Sequence, residues 1–382
     1  MEIVDQVIAS AVKQAASDIL FEPQEKEANV RLRVDGVLQN FGTISKGSYD
    51  QVLARVKILG NMDVTESRKP QEAKIRVELN GHPYVLRAAI VSTNFGQMIA
   101  LRVLDLPQFT EFAQLGMPMA LEQKIKANIS GRYGLFLVCG PTGSGKTTTV
   151  HACLKHLNNG EVNIMTLEDP VEYVITGLNQ IEVGTDVGLD FADGLKLILR
   201  LNPDIVFVGE IRDAETAKIA VQASLTGHLV ISTIHARNSL GALYRLLDLG
   251  VDPYMVNYAV RAILSQRLLR KLCEHCKEEQ TLSTDEIKAY QKEVGRSPKT
   301  IYSSRGCDMC NKSKYHGRIG IFEMMEMDDK LRQLVSLGSS EAQLRDELKS
   351  SEFVDMPTEG IRLVDTGVTS LAEYLRTMYD AR

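Results

Sequence analysis

The chain carries no excess of basic residues. Its 44 Lys and Arg are outnumbered by 49 Asp and Glu, giving a formal charge of −5. That balance argues against a bulk nucleic-acid binder, whose footprint is a basic surplus, while leaving room for a local patch. There is no long apolar run either. The longest uncharged stretch of note, Ile219 to Ala236, is broken by Gly227 and by Gln222, Ser224, Thr226, His228, Ser232, Thr233 and His235. It is too polar to span a bilayer. No basic start leads into an apolar core at the N-terminus, so a signal peptide is not expected and a cytosolic protein is the default. Peripheral docking on a membrane protein stays compatible with this. Low-complexity composition is absent too: 44% hydrophobic and 24% charged residues make an ordinary globular mix. Cysteine is sparse. Of six, Cys139 and Cys153 stand alone in apolar segments, and the other four form two CxxC pairs. In a cytosolic chain that spacing reads as metal before disulfide.

At roughly 150 residues per domain, 382 residues predict two or three domains. The first hundred alternate. Asn29 to Leu38 reads as strand, Asp35-Gly36 turn and strand, and Ile75 to Arg87 repeats the pattern around Asn80-Gly81. Met1 to Ser17 and Tyr49 to Leu59 have helical spacing. This predicts a small α+β domain over 1–104 and a Pro- and Gly-bearing linker over 105–118. Beyond it, short continuous apolar runs at Leu135–Cys139, Val162–Leu167, Ile205–Val208 and Leu229–Ser232 read as strands covered on both faces. Helical patterns at Lys146–Leu157, Ala192–Leu201 and Ala214–Leu225 lie between them. Strands alternating with helices predict an α/β core with a parallel sheet over 119–270. A further helix is expected over about 253–272. The CxxC element follows over 271–320, and a helical C-terminal region over 321–382.

Gly140-Pro141-Thr142-Gly143-Ser144-Gly145-Lys146-Thr147 fits G-x-x-x-x-G-K-[ST] without a gap, between an apolar strand and a helix. The glycines let the backbone curl until its N–H groups point at phosphates, and the helix N-terminus adds its positive end. Lys146 is expected to reach the β- and γ-phosphates and the Thr147 hydroxyl to ligate Mg²⁺. Residues 140–148, through Thr148, are therefore the expected nucleotide-binding segment, with ATP and Mg²⁺ as its occupants. Hydrolysis also needs a group to orient water. Candidate carboxylates stand at strand ends: Glu168, Asp169 and Glu172 after one strand, Glu210 after another. Asp204 precedes its strand and reads as a turn residue. His235 ends a fourth strand, where a titratable group beside phosphate has a use. Cys273, Cys276, Cys307 and Cys310 offer two knuckles separated by 30 residues. Four thiolates suit tetrahedral Zn²⁺ and leave no open position, so the expected site is structural. His275, inside the first knuckle, is not expected to be a ligand.

Taken together, these segments resemble the secretion ATPases that power type II secretion and type IV pilus assembly. The resemblance rests on the phosphate loop, the box Leu167-Glu168-Asp169-Pro170-Val171-Glu172-Tyr173 and the run Asn202 to Asp213. It also rests on Ser232-Thr233-Ile234-His235, on Ser265 to Cys273, on Gly317 to Glu323 and on the tail Gly360 to Leu375. Ala16-Ser17-Asp18-Ile19, Glu22-Pro23 and Arg31 to Gly36 match in the N-terminal part. The resemblance implies an α/β fold with a RecA-like P-loop ATPase core. It also implies a homo-oligomeric, hexameric ring docked on an inner-membrane platform protein, cytoplasmic and peripheral. It assigns catalysis to Glu210 or a carboxylate of the 167–173 box (Glu168 or Glu172) and γ-phosphate sensing to His235. Arg87 and Arg102 would approach a neighbouring subunit's nucleotide. The tetracysteine element tilts the resemblance toward assembly, since pilus-retraction ATPases lack it. The chain begins where the second N-terminal domain of longer members begins, so a separate partner-docking domain is expected to be absent.

Departures are local. Leu20, Gln71-Glu72-Ala73-Lys74, Gln97, Leu201-Asn202 and Ala236-Arg237-Asn238 replace the residues usual in the family. The catalytic boxes are intact and the coupling segments have drifted. Two other readings stay open: a nucleic-acid motor of conjugation or DNA uptake, and a non-hydrolysing nucleotide-gated scaffold. The acidic balance and the missing basic stripe speak against direct nucleic-acid contact. Lys146, Thr147 and Glu210 speak against the scaffold.

Overall fold

The computed structural model describes residues 3–79, 81–104, 111–172, 174–184, 187–298, 300–350 and 353–379. Asn80, Tyr173 and the linker positions 105–110, Pro107 among them, lie outside the described residues. The chain divides into two units, Met1–Gln108 and Phe109–Arg382.

The first unit runs α1 Ile3–Lys13, β1 Asp18–Pro23, β2 Glu27–Val34, β3 Val37–Ser45, α2 Lys46–Leu59, β4 Gln71–Leu79, β5 His82–Thr93 and β6 Gly96–Val103. The Asp35-Gly36 turn forms as the sequence predicts. Both residues take positive φ, 50° and 80°, and Val34 pairs with Val37 across it. The six strands form one antiparallel sheet in the order β3-β2-β1-β6-β5-β4. Its inner face buries Ile19, Phe21, Leu32, Leu86, Ile99 and Leu101 against Val4, Ile8, Val52 and Val56 of the two helices. Alternation then sends the intervening residues to the other face. There, Lys74, Arg87, Arg102, Asp18 and Arg33 are successive cross-strand partners over five adjacent strands. The stripe of cations that the sequence does not show in any one segment is thus assembled by strand pairing. It is interrupted by Asp18 and flanked by Glu72.

The second unit runs α3 Met119–Ile129, β7 Gly134–Cys139, α4 Lys146–Leu157, β8 Ile164–Glu168, β9 Asn179–Glu182, α5 Phe191–Ile198, β10 Ile205–Val208, α6 Ala214–Leu225, β11 Leu229–Ile234, α7 Ser239–Asp248 and α8 Pro253–Ala259. It continues with β12 Val260–Leu272, β13 Lys277–Gln280, α9 Thr284–Val294, β14 Ile301–Ser304, β15 Tyr315–Glu326, α10 Asp329–Ser336, α11 Glu341–Ser350, α12 Met356–Asp365 and α13 Leu371–Tyr379. The sheet order is β15-β12-β7-β11-β10-β8-β9, parallel except for β15. The strands β7, β8, β10 and β11 are buried throughout, which is why they read as unbroken apolar runs. Helices α3 and α4 cover one face; α5 to α8 with α10 and α11 cover the other. A one-turn 3₁₀ helix, Phe112–Leu115, buries Phe112 under the α3–α4 layer, so the second half of the expected linker is folded.

The helix expected over 253–272 is half wrong. It ends at Ala259, and the chain continues as the 13-residue strand β12. Ala262, Ile263 and Leu264 are buried on both faces between β7 and β15. Val260, Leu264, Leu268 and Leu272 recur every four residues, the spacing of one helix face, and only pairing with the neighbouring strands overrules it. Strands β12 and β15 run across positions 270 and 320. The cysteine element is therefore continuous with the sheet on both sides.

Candidate functional site

The carboxyl ends of β7, β8, β10 and β11 share one edge of the sheet, as parallel pairing requires. From β7 the chain leaves through α4 on one face, whereas α6 joins β10 to β11 across the other. The reversal opens the crevice in which open α/β sheets hold ligands.

Residues 140–145 curl between β7 and α4. Gly140, Gly143 and Gly145 have φ of 148°, 77° and 88°. A Cβ on Gly140 would lie 2.4 Å from the Gln266 carbonyl, so the loop lies directly on β12. Gln266, 1% exposed, donates from Nε2 to Ser144 O at 2.8 Å and fixes the loop from below. Lys146 turns its ammonium into the loop, donating to Gly140 O at 2.9 Å and Pro141 O at 3.1 Å. Burial holds its pKa below the ordinary value, against the opposing pull of Cys139 and Glu210. A phosphate offers that ammonium better partners than two carbonyls. Thr147 and Thr148 start α4, half-buried. Pro141, Thr142 and Gly143 are exposed at the loop's crest. Open backbone, a preplaced cation and a helix N-terminus fit a nucleotide's phosphates with Mg²⁺.

Glu210 follows β10 with its side chain 16% exposed. Arg212 pairs with Oε1. Oε2 is buried without a hydrogen bond, and His235 Nε2 stands 3.5 Å from it. The structure thus brings Glu210 and His235 together. Glu168 sits differently. It is 4% exposed, accepts from Thr166 Oγ1 at 2.7 Å and Gln180 Nε2 at 2.9 Å, and lies 3.5 Å from His151 Nε2 on α4. Burial alone would raise its pKa, but the bonds from His151, Gln180 and Thr166 outweigh that and hold it low. Glu172 is exposed. Asp204 accepts from Asn163 N at 2.7 Å, the turn role its position predicts. In the first unit Arg87 pairs with Glu72 at 2.8 Å, and Arg102 pairs with Asp18 at 3.1 Å, its side chain 64% exposed.

The four cysteine sulfurs converge, all within 4.8 Å of one another, with 3.8–3.9 Å between Cys273 and Cys307, Cys276 and Cys310, and Cys307 and Cys310. A tetrahedron of Zn–S bonds of about 2.3 Å has edges of about 3.8 Å. The set therefore fits a four-coordinate ion. The Cys307 N–H donates to Cys310 Sγ at 3.2 Å, stabilising thiolate character.

Sequence reasoning missed His151, Gln180, Arg212 and Gln266. Arg212 was within reach, two residues from Glu210. The other three carry no local signal, because strands and helices far apart in the chain bring them to the site.

A glycine-rich loop after β7, a carboxylate after β10 and a histidine after β11 are the parts that a P-loop ATPase of the α/β class needs. The chain belongs to the family described as Type II/IV secretion system protein, whose model matches residues 1–376. It is 40% identical over 385 residues to the type IV pilus assembly ATPase TfpB of Acinetobacter baylyi, covering 99% of this chain and 65% of that protein. It is 39% identical over 378 residues to the type II secretion system protein E of Klebsiella pneumoniae, covering 98% of this chain and 75% of that protein. Among solved structures, the fold is similar to the Legionella pneumophila ATPase DotB, with a TM-score of 0.72 at 19% identity over 97% of this chain and 93% of that one. It is also similar to the pilus retraction motor PilT, with a TM-score of 0.64 at 24% identity over 98% and 96%. Among the described residues, no helix is long and apolar enough to cross a membrane.

Proposed function

We propose that this chain hydrolyses Mg-ATP as one subunit of a hexameric ring on the cytoplasmic face of the inner membrane. Turnover drives a platform protein to assemble a pilus or pseudopilus. The single observation that carries the chemistry is the meeting of Glu210 and His235 at strand ends beside the Lys146 loop. The names of the relatives at about 40% identity support the biological task.

In this reading Lys146 exchanges its two loop carbonyls for the β- and γ-phosphates, and residues 140–148 enclose them with N–H groups. Thr147 would hold Mg²⁺, which supplies charge compensation between the phosphates. Glu210 takes the proton of the attacking water on Oε2 while Arg212 holds Oε1 in place. His235 reads the γ-phosphate and relays its loss to Glu210. Glu168, anchored to α4 through His151, sets the distance between the phosphate loop and the β8 end. Glu172 stays a second candidate in that box. Arg87 and Arg102 leave Glu72 and Asp18 to reach a neighbour's nucleotide, a role worth about 10³–10⁵ in rate. Cys273, Cys276, Cys307 and Cys310 hold a structural Zn²⁺.

The test is Mg-ATP turnover per chain across protein concentrations, for the wild type, Glu210→Gln and Arg102→Ala. Turnover should climb with concentration, vanish in Glu210→Gln with ATP still bound, and lose its concentration dependence in Arg102→Ala. Turnover retained in Glu210→Gln rejects its role. Constant turnover from a monomer shown by sizing rejects the shared site.

A further inference from the structure

Successive residues of β12 serve opposite faces of the sheet. Gln266 faces the phosphate loop. Arg267, 7% exposed, faces the other way. Its Nη1 donates to Thr377 O at 2.6 Å and Met378 O at 3.3 Å, at the C-terminal end of α13, and its Nη2 reaches Arg237 O at 3.5 Å. On the neighbouring strand β15, Glu323 pairs in register with Ser265, diagonal to Arg267 on the same face. Glu323 is 6% exposed. Its Oε1 accepts from Ser239 N at 2.8 Å and Ser239 Oγ at 2.9 Å, at the start of α7. Its Oε2 accepts from Met356 N at 3.3 Å, at the start of α12.

Arg237 lies within the four-residue loop 235–238 that begins with His235, and Ser239 directly follows it. Asn238, between them, caps α7 by accepting from Gly241 N at 2.7 Å, and its own carbonyl receives the Cys139 thiol at 3.4 Å. One buried cation and one buried anion therefore bind the histidine loop on one side and the last two helices on the other. Neither is spent on the other as a simple pair: the guanidinium goes to three carbonyls and the carboxylate to two helix N-termini. Apolar residues of the same volume would fill this space without the cost of desolvating two charges. What the charged pair adds is fixed position.

We infer that Arg267 and Glu323 are positioning residues for the His235 loop, tying it to α12 and α13 so that the C-terminal helices help hold the histidine in register with Glu210. This rests on the proposed role of His235. Displacing a reacting group by about 1 Å can cost on the order of 10²-fold in rate, so loosening the tail should be felt in turnover.

The experiment compares kcat, KM, ATP affinity and melting temperature of the full chain with those of Arg267→Gln, Glu323→Gln and a chain ending at Arg376. The shortened chain loses the Thr377 and Met378 acceptors but keeps the Glu373 anchor of α13. Each is also made with His235→Ala. Expected are roughly tenfold or greater losses in kcat with KM and affinity little changed, and no further loss when Arg267→Gln is added to His235→Ala. Should Arg267→Gln fail to fold, the shortened chain gives the same reading. Unchanged kcat in Arg267→Gln or in the shortened chain, or losses that multiply in the His235→Ala background, would overturn the inference while leaving His235 catalytic. Unchanged kcat in His235→Ala alone removes its foundation and the role of His235 together.

Discussion

Replacing Glu373 with alanine tests how the tail is held. Its carboxylate is fully buried on α13 and accepts from Arg270 N at 3.1 Å, Arg270 Nε at 3.0 Å and Arg270 Nη2 at 2.7 Å. Arg376 adds bonds of 2.8 and 2.6 Å from the same helix. Arg270, 13% exposed, is stacked over the Tyr315 ring at 4.0 Å and would stay largely buried without its partner. Removing one partner of a buried pair costs about 3–5 kcal/mol. Arg376 is 43% exposed and rehydrates, so it adds little. For a unit of this size the loss corresponds to a fall in melting temperature on the order of 10 °C. The sign with pH is fixed. Burial would raise the Glu373 pKa, but the bonds from Arg376 and Arg270 overcome it and leave it lowered from 4.5. The contribution is therefore complete above pH 4.5 and is lost as pH falls through the lower, folded value. Glu373→Ala should be much less stable than wild type at pH 7, with the gap closing in acid, and Glu373→Gln should show a smaller, nearly pH-independent loss. Calorimetry or far-UV circular dichroism reads this, since the chain has no tryptophan to report unfolding. A gap that does not narrow as pH falls well below 4.5 would refute the electrostatic account, and no gap at all would refute the network.

Lys146→Ala should abolish ATP binding, measured with a fluorescent analogue, because it removes the ammonium that the loop carbonyls of Gly140 and Pro141 hold in place for phosphate; retained affinity would contradict the loop geometry. Cys276→Ser should release the metal, giving less than one zinc per chain by elemental analysis and losing protection from hydrogen exchange over β13 and β14; full zinc content would reject the four-sulfur site. His151→Leu leaves the buried Glu168 with one partner fewer, so a loss of about 1–3 kcal/mol is expected at pH 7, and an unchanged melting temperature would show that the pair adds nothing.

The phosphate loop was legible because its chemistry is contiguous: glycines, lysine and threonine must follow one another for the backbone to curl onto phosphate. The α4 and α6 bounds were legible to the residue, each opening at an abrupt change of pattern, with Asp213 capping α6 by accepting from Thr216 N. Glu210 and His235 were legible as strand ends. The strand β12 was not, because Val260, Leu264, Leu268 and Leu272 keep a four-residue spacing that reads as a helix until β7 and β15 pair with it. Glu168 was placed at the right strand end, but its engagement by His151 depends on how α4 lies over β8.

The sequence by itself determined the α/β class, the glycine-rich loop that opens α4, the convergence of the four sulfurs and the family, since each is written in short, contiguous or fixed-spacing chemistry. Only the tertiary structure decided which carboxylate stands beside His235, that Gln266 underlies the loop, and that Arg267 and Glu323 bind the histidine loop to the tail. It also decided that Arg33, Lys74, Arg87 and Arg102 form one row. These are contacts between residues tens to more than a hundred positions apart. Strand order and register set them, and no local pattern encodes either.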